Sequence, residues 1–170
     1  MAKKQFALNT QPHEAEIGDA VYLFEPEVLG DEFLDRYERL QEVNRRLNFD
    51  PANMGDAHLS QVREATTAMR VFLASLMLPA SAHEFARWDV LADGSVTGSY
   101  ATPADAGAAA ADLEGAEAVD GGTRYPDRVL VELMEWVVEL YGGGQRPPTS
   151  STGSAPASPP PGRRGRAVSR

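Results

Sequence analysis

Hydrophobic residues recur at steps of three and four along three stretches of the chain, which predicts three amphipathic helices. The first helix covers 31–47, and the second covers 57–78 and stops before Pro79. The third covers 126–141 and is followed by Gly142, a residue that commonly ends helices. Because the third helix is apolar on most of its surface, we expect it to lie in a core or against another chain.

A β-hairpin is predicted within the first 24 residues, where apolar and polar residues alternate. Its second strand is β-branched and aromatic, but the first strand can be assigned in two ways. In one, Phe6 and Leu8 belong to it. In the other, Gly18-Asp19 forms a tight turn, and 15–17 pairs with 22–24.

The middle of the chain gives weaker signals. Residues 81–84 read Ser-Ala-His-Glu, which fits a capping box and predicts a short helix over 84–91. From 92 to 124 the periodicity disappears and glycines are frequent, although the alanines at 108–111 favour a turn or two of helix. We expect this segment to be an acidic, mobile insertion with little to anchor it to a core.

These elements predict a small α+β protein that is mainly α, with an N-terminal β-hairpin and about four helices. We divide it into an acidic helical domain, 1–141, and a C-terminal tail, 142–170. The tail is rich in glycine, proline, serine and arginine, and Val168 is its only large apolar residue after Tyr141. Such a composition buries too little surface to offset the entropy of ordering, so it predicts disorder.

The charge of the chain is divided between these two parts. Of its 16 basic and 25 acidic residues, the domain holds 11 basic and all 25 acidic ones, whereas the tail holds five arginines and no acid. An acidic domain repels nucleic acid and anionic lipid. The tail arginines could form a basic arm for nucleic acid, but spaced charges without aromatic residues favour a solubilising segment instead.

Residue types that carry most enzyme chemistry are scarce. There is no cysteine, which excludes disulfides, thiolate metal sites and cysteine nucleophiles. The three histidines, His13, His58 and His83, have no second ligand at helical spacing, so we expect no metal. No serine-elbow or phosphate-loop motif occurs, and no apolar run is long enough for a membrane span. We expect a cytoplasmic protein without catalytic residues, cofactor or metal that binds other proteins.

Methionine and aromatic residues on the predicted helices favour a binding role, because such side chains suit adaptable apolar surfaces. Each of them is also a plausible core residue. We expect the 57–78 and 126–141 helices to face a partner or to self-associate. The candidate partner-binding residues are Leu73, Met77, Met134, Trp136 and Val138.

The segment Tyr125–Tyr141, followed by 142–149 and a polar arginine-containing tail, resembles the tail assembly chaperones of long-tailed bacteriophages of actinobacteria. The upstream order is similar to that family as well. An apolar run, Val21–Phe24, precedes a charged helix, and then come the Phe-Leu-x-x-Leu-Met-Leu-Pro stretch of Phe72–Pro79 and a short aromatic segment, His83–Trp88. The following insertion is longer and richer in alanine than the family pattern.

The resemblance implies a function without enzymatic activity. Such chaperones bind the apolar, helical tape measure protein before tail tube subunits polymerise around it, act in the host cytoplasm and are absent from the mature virion. Many are made in two forms through programmed frameshifting, and the three codons for Gly142–Gly144 are candidates for a slippery tract. On this hypothesis Trp136→Asp abolishes co-purification with the tape measure protein while the variant stays soluble.

Two other functions remain open. The main alternative is a minor structural tail or head–tail connector protein, a class that usually contains more β-structure. A helical DNA-binding regulator is disfavoured, because the acidic domain lacks a basic recognition helix.

Overall fold

The computed structural model describes residues 3–48 and 58–142. In these residues the predicted α+β class with an N-terminal hairpin is confirmed, but there are five helices rather than about four, together with two small sheets. The elements in chain order are β1 (His13–Ile17), β2 (Ala20–Phe24), α1 (Gly30–Leu47), α2 (Leu59–Ser75), α3 (Pro79–Phe85), β3 (Trp88–Ala92), β4 (Ser95–Tyr100), α4 (Pro103–Ala111), β5 (Glu117–Asp120) and α5 (Asp127–Gly142).

The hairpin has the tight turn of the second predicted assignment, but residues 15–17 pair with 20–22 and not with 22–24 as predicted. Strands β1 and β2 are antiparallel, with Ile17 opposite Ala20, so Gly18-Asp19 forms a two-residue turn. Gly18 has a φ of +64°, which glycine adopts without steric cost. The alternative assignment is wrong, because Phe6 and Leu8 lie outside the strands and are 75% and 76% exposed.

Two sequence predictions differ from the structure in the region of α2 and α3: the end of the second helix at 78 and the short helix over 84–91. α2 ends at Ser75, before the predicted end, and Pro79 then occupies the first turn of α3, where its missing N–H costs no helical hydrogen bond. Ser81 lies inside α3, and its hydroxyl accepts a hydrogen bond from the backbone N–H of Leu23 at 2.9 Å instead of capping a helix. The helix predicted over 84–91 is therefore wrong, and strand β3 occupies its second half.

The segment 92–124 contributes to a second sheet, in which the antiparallel strands have the order β4-β3-β5. Helix α4 lies between β4 and β5 in the chain and buries Ala106 and Ala110. The expectation that little in this segment anchors to the core was thus wrong. Alanine combines high helix propensity with a side chain small enough for close packing, so a helix with few large residues can still be buried on one side.

One hydrophobic core joins the helices and both sheets. Helices α1 and α5 have bounds within one residue of the predicted ones, and each buries an apolar face that includes Phe33 and Leu40 in α1 and Leu130 and Val137 in α5. The most deeply buried large side chains come from β2, α1, α2 and the residue after its end, α3, β3 and α5: Tyr22, Phe24, Phe33, Leu73, Leu76, Phe85, Val90, Leu130 and Val137.

The predicted tail, 142–170, lies after Gly142 outside the described part of the chain. Within 3–48 and 58–142, no helix combines the length and the hydropathy that crossing a bilayer requires.

Candidate functional site

Two of the five residues predicted to face a partner belong to the core. Leu73 is 0% exposed and Met77 is 4% exposed, and both side chains belong to the hydrophobic core cluster. The apolar stripe that identified them is the face of α2 and its extension that packs inward. This part of the site prediction is corrected by the structure.

The other three candidates lie on α5 and are half-buried. Met134, Trp136 and Val138 all pack against the core, and the Trp136 ring meets that of Phe24 edge-on with centroids 5.3 Å apart. A carboxylate placed at this contact would be partly desolvated, so Trp136→Asp should destabilise the fold and does not cleanly test binding. Their partner-facing role stays a prediction.

A groove runs along the opposite side of α2 from this buried stripe. It consists of two cavities of about 410 and 440 Å³ that share Val71, Ser75 and Thr102 in their linings. The α2 residues that line it are spaced at steps of three and four, which places them on one helix face. We name it the α2 groove, and its floor consists of Ala68, Val71, Phe72, Ala74, Ala82 and Ala86.

The walls of the α2 groove come from three other parts of the fold. Helix α1 supplies Leu40 and Val43, α3 supplies Pro79, and the end of β4 with the start of α4 supplies Tyr100 and Pro103. Most of the lining is apolar and much of it consists of small side chains. Such a surface allows close approach of another backbone and gains free energy when it is removed from water.

The charged residues at the rims of the α2 groove are mostly arginines. Arg36, Arg39 and Arg46 lie on the α1 side, and Arg87 lies at the other end beside the exposed His83. The acidic residue in the lining is Glu64. The lining therefore contains four arginines and one glutamate, in a chain with a formal net charge of −9. Three of these arginines also pair with carboxylates, Arg36 with Glu32, Arg46 with Glu64 and Arg87 with Asp89.

Neighbouring groups hold several of these guanidiniums in place. Arg36 donates to the carbonyl oxygen of Ser75 at 2.5 Å, and Arg46 pairs with Glu64. Arg87 donates to Asp89 at 3.1 Å. A hydrogen bond from the Ser99 hydroxyl, together with Arg87, holds the pKa of Asp89 below its usual range despite burial, so its carboxylate is ionised at neutral pH.

A second charged cluster, around Arg70, is internal and structural. Arg70 is 5% exposed and donates to both carboxylate oxygens of Asp120, at 2.5 and 3.1 Å, and to the carbonyl oxygens of Phe85 and Thr123. Burial works against ionisation of Asp120, but the hydrogen bonds and charge of Arg70 outweigh it and lower its pKa. Through these hydrogen bonds, α2 is linked to the end of β5 and to the connection between β5 and α5.

Sequence reasoning missed the groove, although one signal pointed to it. Arg36, Arg39 and Arg46 are spaced by three and seven residues, so they share a face of α1. Arginines on a face beside an apolar stripe are common on solvated helices. What distinguishes these three is the apolar floor contributed by α2, which becomes visible only in the packed structure.

In 3–48 and 58–142, no group of three or more histidine, aspartate or glutamate side chains is arranged to hold a metal ion.

No protein-family model matches the sequence, and the comparisons with curated proteins and with solved structures found no match.

Proposed function

We propose that this protein is a tail assembly chaperone of a long-tailed bacteriophage, which binds helical segments of the tape measure protein in the host cytoplasm before tail tube subunits assemble around them. The proposal is supported by the sequence resemblance centred on Tyr125–Tyr141 and by the presence of a surface suited to an apolar helix. In this role the protein has no enzymatic activity and is absent from the mature virion.

The observation that carries the proposal is the α2 groove. From Glu64 to Ser75 the α2 residues that line it span about 17 Å, or three turns of a helix. A helix-in-groove complex places an apolar stripe along such a floor. A tape measure segment bound there would have its apolar face covered, and the acidic surface of the chaperone would keep the complex soluble.

The size of the groove also suits a transient complex. A partner helix of about three turns buries less than the roughly 1,200 Å² that marks stable protein–protein interfaces. Binding should therefore be weak enough for tail tube subunits to displace the chaperone. Several copies on one long tape measure chain would then compensate for weak single contacts.

Co-expression with the tape measure protein tests the proposal. We expect the tape measure protein to be soluble and to co-purify only when the chaperone is present. Ser75→Trp should abolish capture, because Ser75 is exposed and lies where the two cavities of the groove meet. Arg63→Trp is the matched control, since Arg63 is exposed on α2 but does not line the groove.

The outcomes separate the two parts of the proposal. Failure of the wild-type protein to retain the tape measure protein would contradict the proposed function. If a correctly folded Ser75→Trp variant captured it as well as Arg63→Trp does, the function would stand and the groove would not be the binding site.

A minor structural tail or head–tail connector protein is the second candidate, and one observation favours it. The second sheet, β4-β3-β5, gives the protein more β-structure than its sequence indicates, and within the described residues no further strand pairs with its edge strands β4 and β5. Mass spectrometry of purified particles distinguishes the two, because a structural protein is present at fixed stoichiometry whereas a chaperone is absent.

A further inference from the structure

We propose that the α2 groove selects a helix whose apolar stripe is flanked by acidic residues, so that the chaperone's target segment carries aspartate or glutamate beside that stripe. This inference rests on the proposed function and specifies the chemistry of the partner. It follows from the distribution of charge around the groove and not from its apolar floor alone.

Arginines lie along one rim of the groove and at its far end. Arg36, Arg39 and Arg46 line the cavity beside α1, and Arg87 lines the other cavity, near the start of β3. Glu64 is the acidic residue in the lining, and Arg46 already pairs with it. Arg39 is exposed, so its guanidinium can turn toward a partner carboxylate without breaking the packing of the chain.

Guanidinium groups at the edge of an apolar surface recognise carboxylates well. They offer planar, paired donors, and the apolar floor lowers the local screening by water. A helix flanked by lysine or arginine would instead place like charges beside these arginines, which opposes binding. The acidic flank is therefore the arrangement that the groove favours.

The same argument disfavours the C-terminal segment of this chain as the occupant. Residues 143–170 contain five arginines and no acidic residue, so their charge has the same sign as the rims. Their composition also lacks an apolar stripe that could lie along the floor. A second copy of the chain remains as an outcome that the experiment must detect.

The test uses the full-length protein and two synthetic peptides of about 18 residues. Both have the same leucine and alanine stripe on a helix, and they differ in carrying glutamate or lysine along its flanks. Fluorescence anisotropy should show the glutamate peptide binding about tenfold more tightly, which equals about 1.4 kcal/mol. The difference should shrink at high salt, because the charges at the rims are solvent-exposed.

Charge-reversal variants identify the groups responsible. Arg39→Glu combined with Arg46→Glu should remove the preference for the glutamate peptide, and both positions are exposed, so the fold should persist. The matched control combines Arg45→Glu with Arg63→Glu. Arg45 is exposed on α1 and Arg63 is exposed on α2, neither lines the α2 groove, and the change in net charge is the same.

Three results would overturn the inference. The first is that the lysine peptide binds as tightly as the glutamate peptide. The second is that both double variants lose the preference equally, which would indicate an effect of net charge alone. The third is that neither peptide binds while the protein dimerises through a contact that Ser75→Trp abolishes, which would identify a second copy as the occupant.

Measuring capture of the tape measure protein distinguishes a failure of this inference from a failure of the proposed function. If the glutamate peptide is preferred but the tape measure protein is not captured, the function fails and the selectivity of the groove stands. If Arg39→Glu/Arg46→Glu captures the tape measure protein as well as the control variant does, the function stands and the inference fails. Circular dichroism of each variant verifies that it is folded.

Discussion

Arg70 is a buried cation whose position along α2 gave no indication of its role. It lies off the large apolar stripe of the helix, where a charged residue is ordinarily solvated. In the structure it is buried, and its partner Asp120 is 50 residues away in the chain. A pairing at that separation depends on how β5 packs against α2, so the sequence pattern could not have predicted it.

Removing the Arg70 side chain should strongly destabilise the fold. Arg70→Ala leaves the carboxylate of Asp120 without its main partner in a mostly buried position, which costs about 3 kcal/mol. Arg124→Ala is the control, because Arg124 contacts the same carboxylate at 3.2 Å but its side chain is 78% exposed. That variant should lose less than about 1 kcal/mol. Urea unfolding measures both, and equal losses would contradict a dominant role for Arg70.

The lowered pKa of Asp120 predicts a dependence of stability on pH. Because its folded-state pKa lies below the ordinary value of 3.8, ionised Asp120 stabilises the fold at neutral pH, and this contribution is lost as the pH falls through the folded-state pKa. Wild type should therefore exceed Asp120→Asn in stability by a constant amount above about pH 5, and the difference should shrink in more acidic solution.

Urea unfolding at a series of pH values measures that difference. Glu139→Gln, which removes a carboxylate from an exposed position of α5, is the control for loss of a negative charge. A gap between wild type and Asp120→Asn that stays constant down to pH values well below 3.8 would show that Asp120 does not titrate as expected.

At the scale of elements, the connection from β5 to α5 passes very close to α3. A Cβ atom on Gly122 would lie 2.8 Å from the Phe85 carbonyl oxygen and 2.9 Å from the Ala86 Cα atom, which are backbone atoms that cannot easily move. This close approach lets the neighbouring Thr123 donate its N–H to the carbonyl oxygen of Glu84 at 3.1 Å. Glycine at 122 is thus required by packing rather than by a special φ.

Two glycine-to-alanine substitutions should have opposite effects. Gly122→Ala forces the connection away from α3 and should cost about 1 to 3 kcal/mol. Gly107→Ala should stabilise the protein by about 0.5 to 1 kcal/mol, because Gly107 lies within α4 and a Cβ atom there meets nothing within 4 Å. Thermal unfolding compares them, and a stable Gly122→Ala variant would show that the connection can shift.

The elements also differ in how well their sequences predict them. Helices α1 and α5 each keep a helical period for more than four turns, and both were located within one residue. The strands of the second sheet have four to six residues, and a β-bulge at Val90/Leu91 interrupts the β3–β4 pairing. Their stability comes from cross-strand neighbours and from the covering α4, which no local window of sequence contains.

At the scale of the whole molecule, the candidate site is a product of packing between elements. The α2 groove combines arginines from α1 and β3's N-terminal side with small residues from α2 and α3. Each of these features is ordinary by itself. Sequence patterns predicted that the protein would offer an apolar helical surface, but they pointed to Leu73 and Met77, which the fold buries. Which face of a helix packs against the core cannot be determined until the elements beside it are known.

The division of the chain into a domain and a tail gives a prediction at the same scale. Among the described residues, the buried core side chains run from Tyr22 to Val137. Removing residues 145–170 deletes five arginines and no large apolar residue except Val168. We therefore expect the shortened protein to have the same unfolding temperature as the full chain. Its free energy of unfolding should differ by no more than about 0.5 kcal/mol, the usual effect of surface changes.

The same truncation tests what the basic segment does. If its arginines bind nucleic acid, the full chain should be retained on a DNA column at low salt and the shortened protein should not be, because the remaining domain is acidic. If they serve only solubility, neither protein is retained, and the shortened protein should aggregate sooner on concentration while keeping its unfolding temperature. A clear fall in that temperature would contradict the boundary at 141/142, since it would mean that the deleted residues contribute to the folded domain.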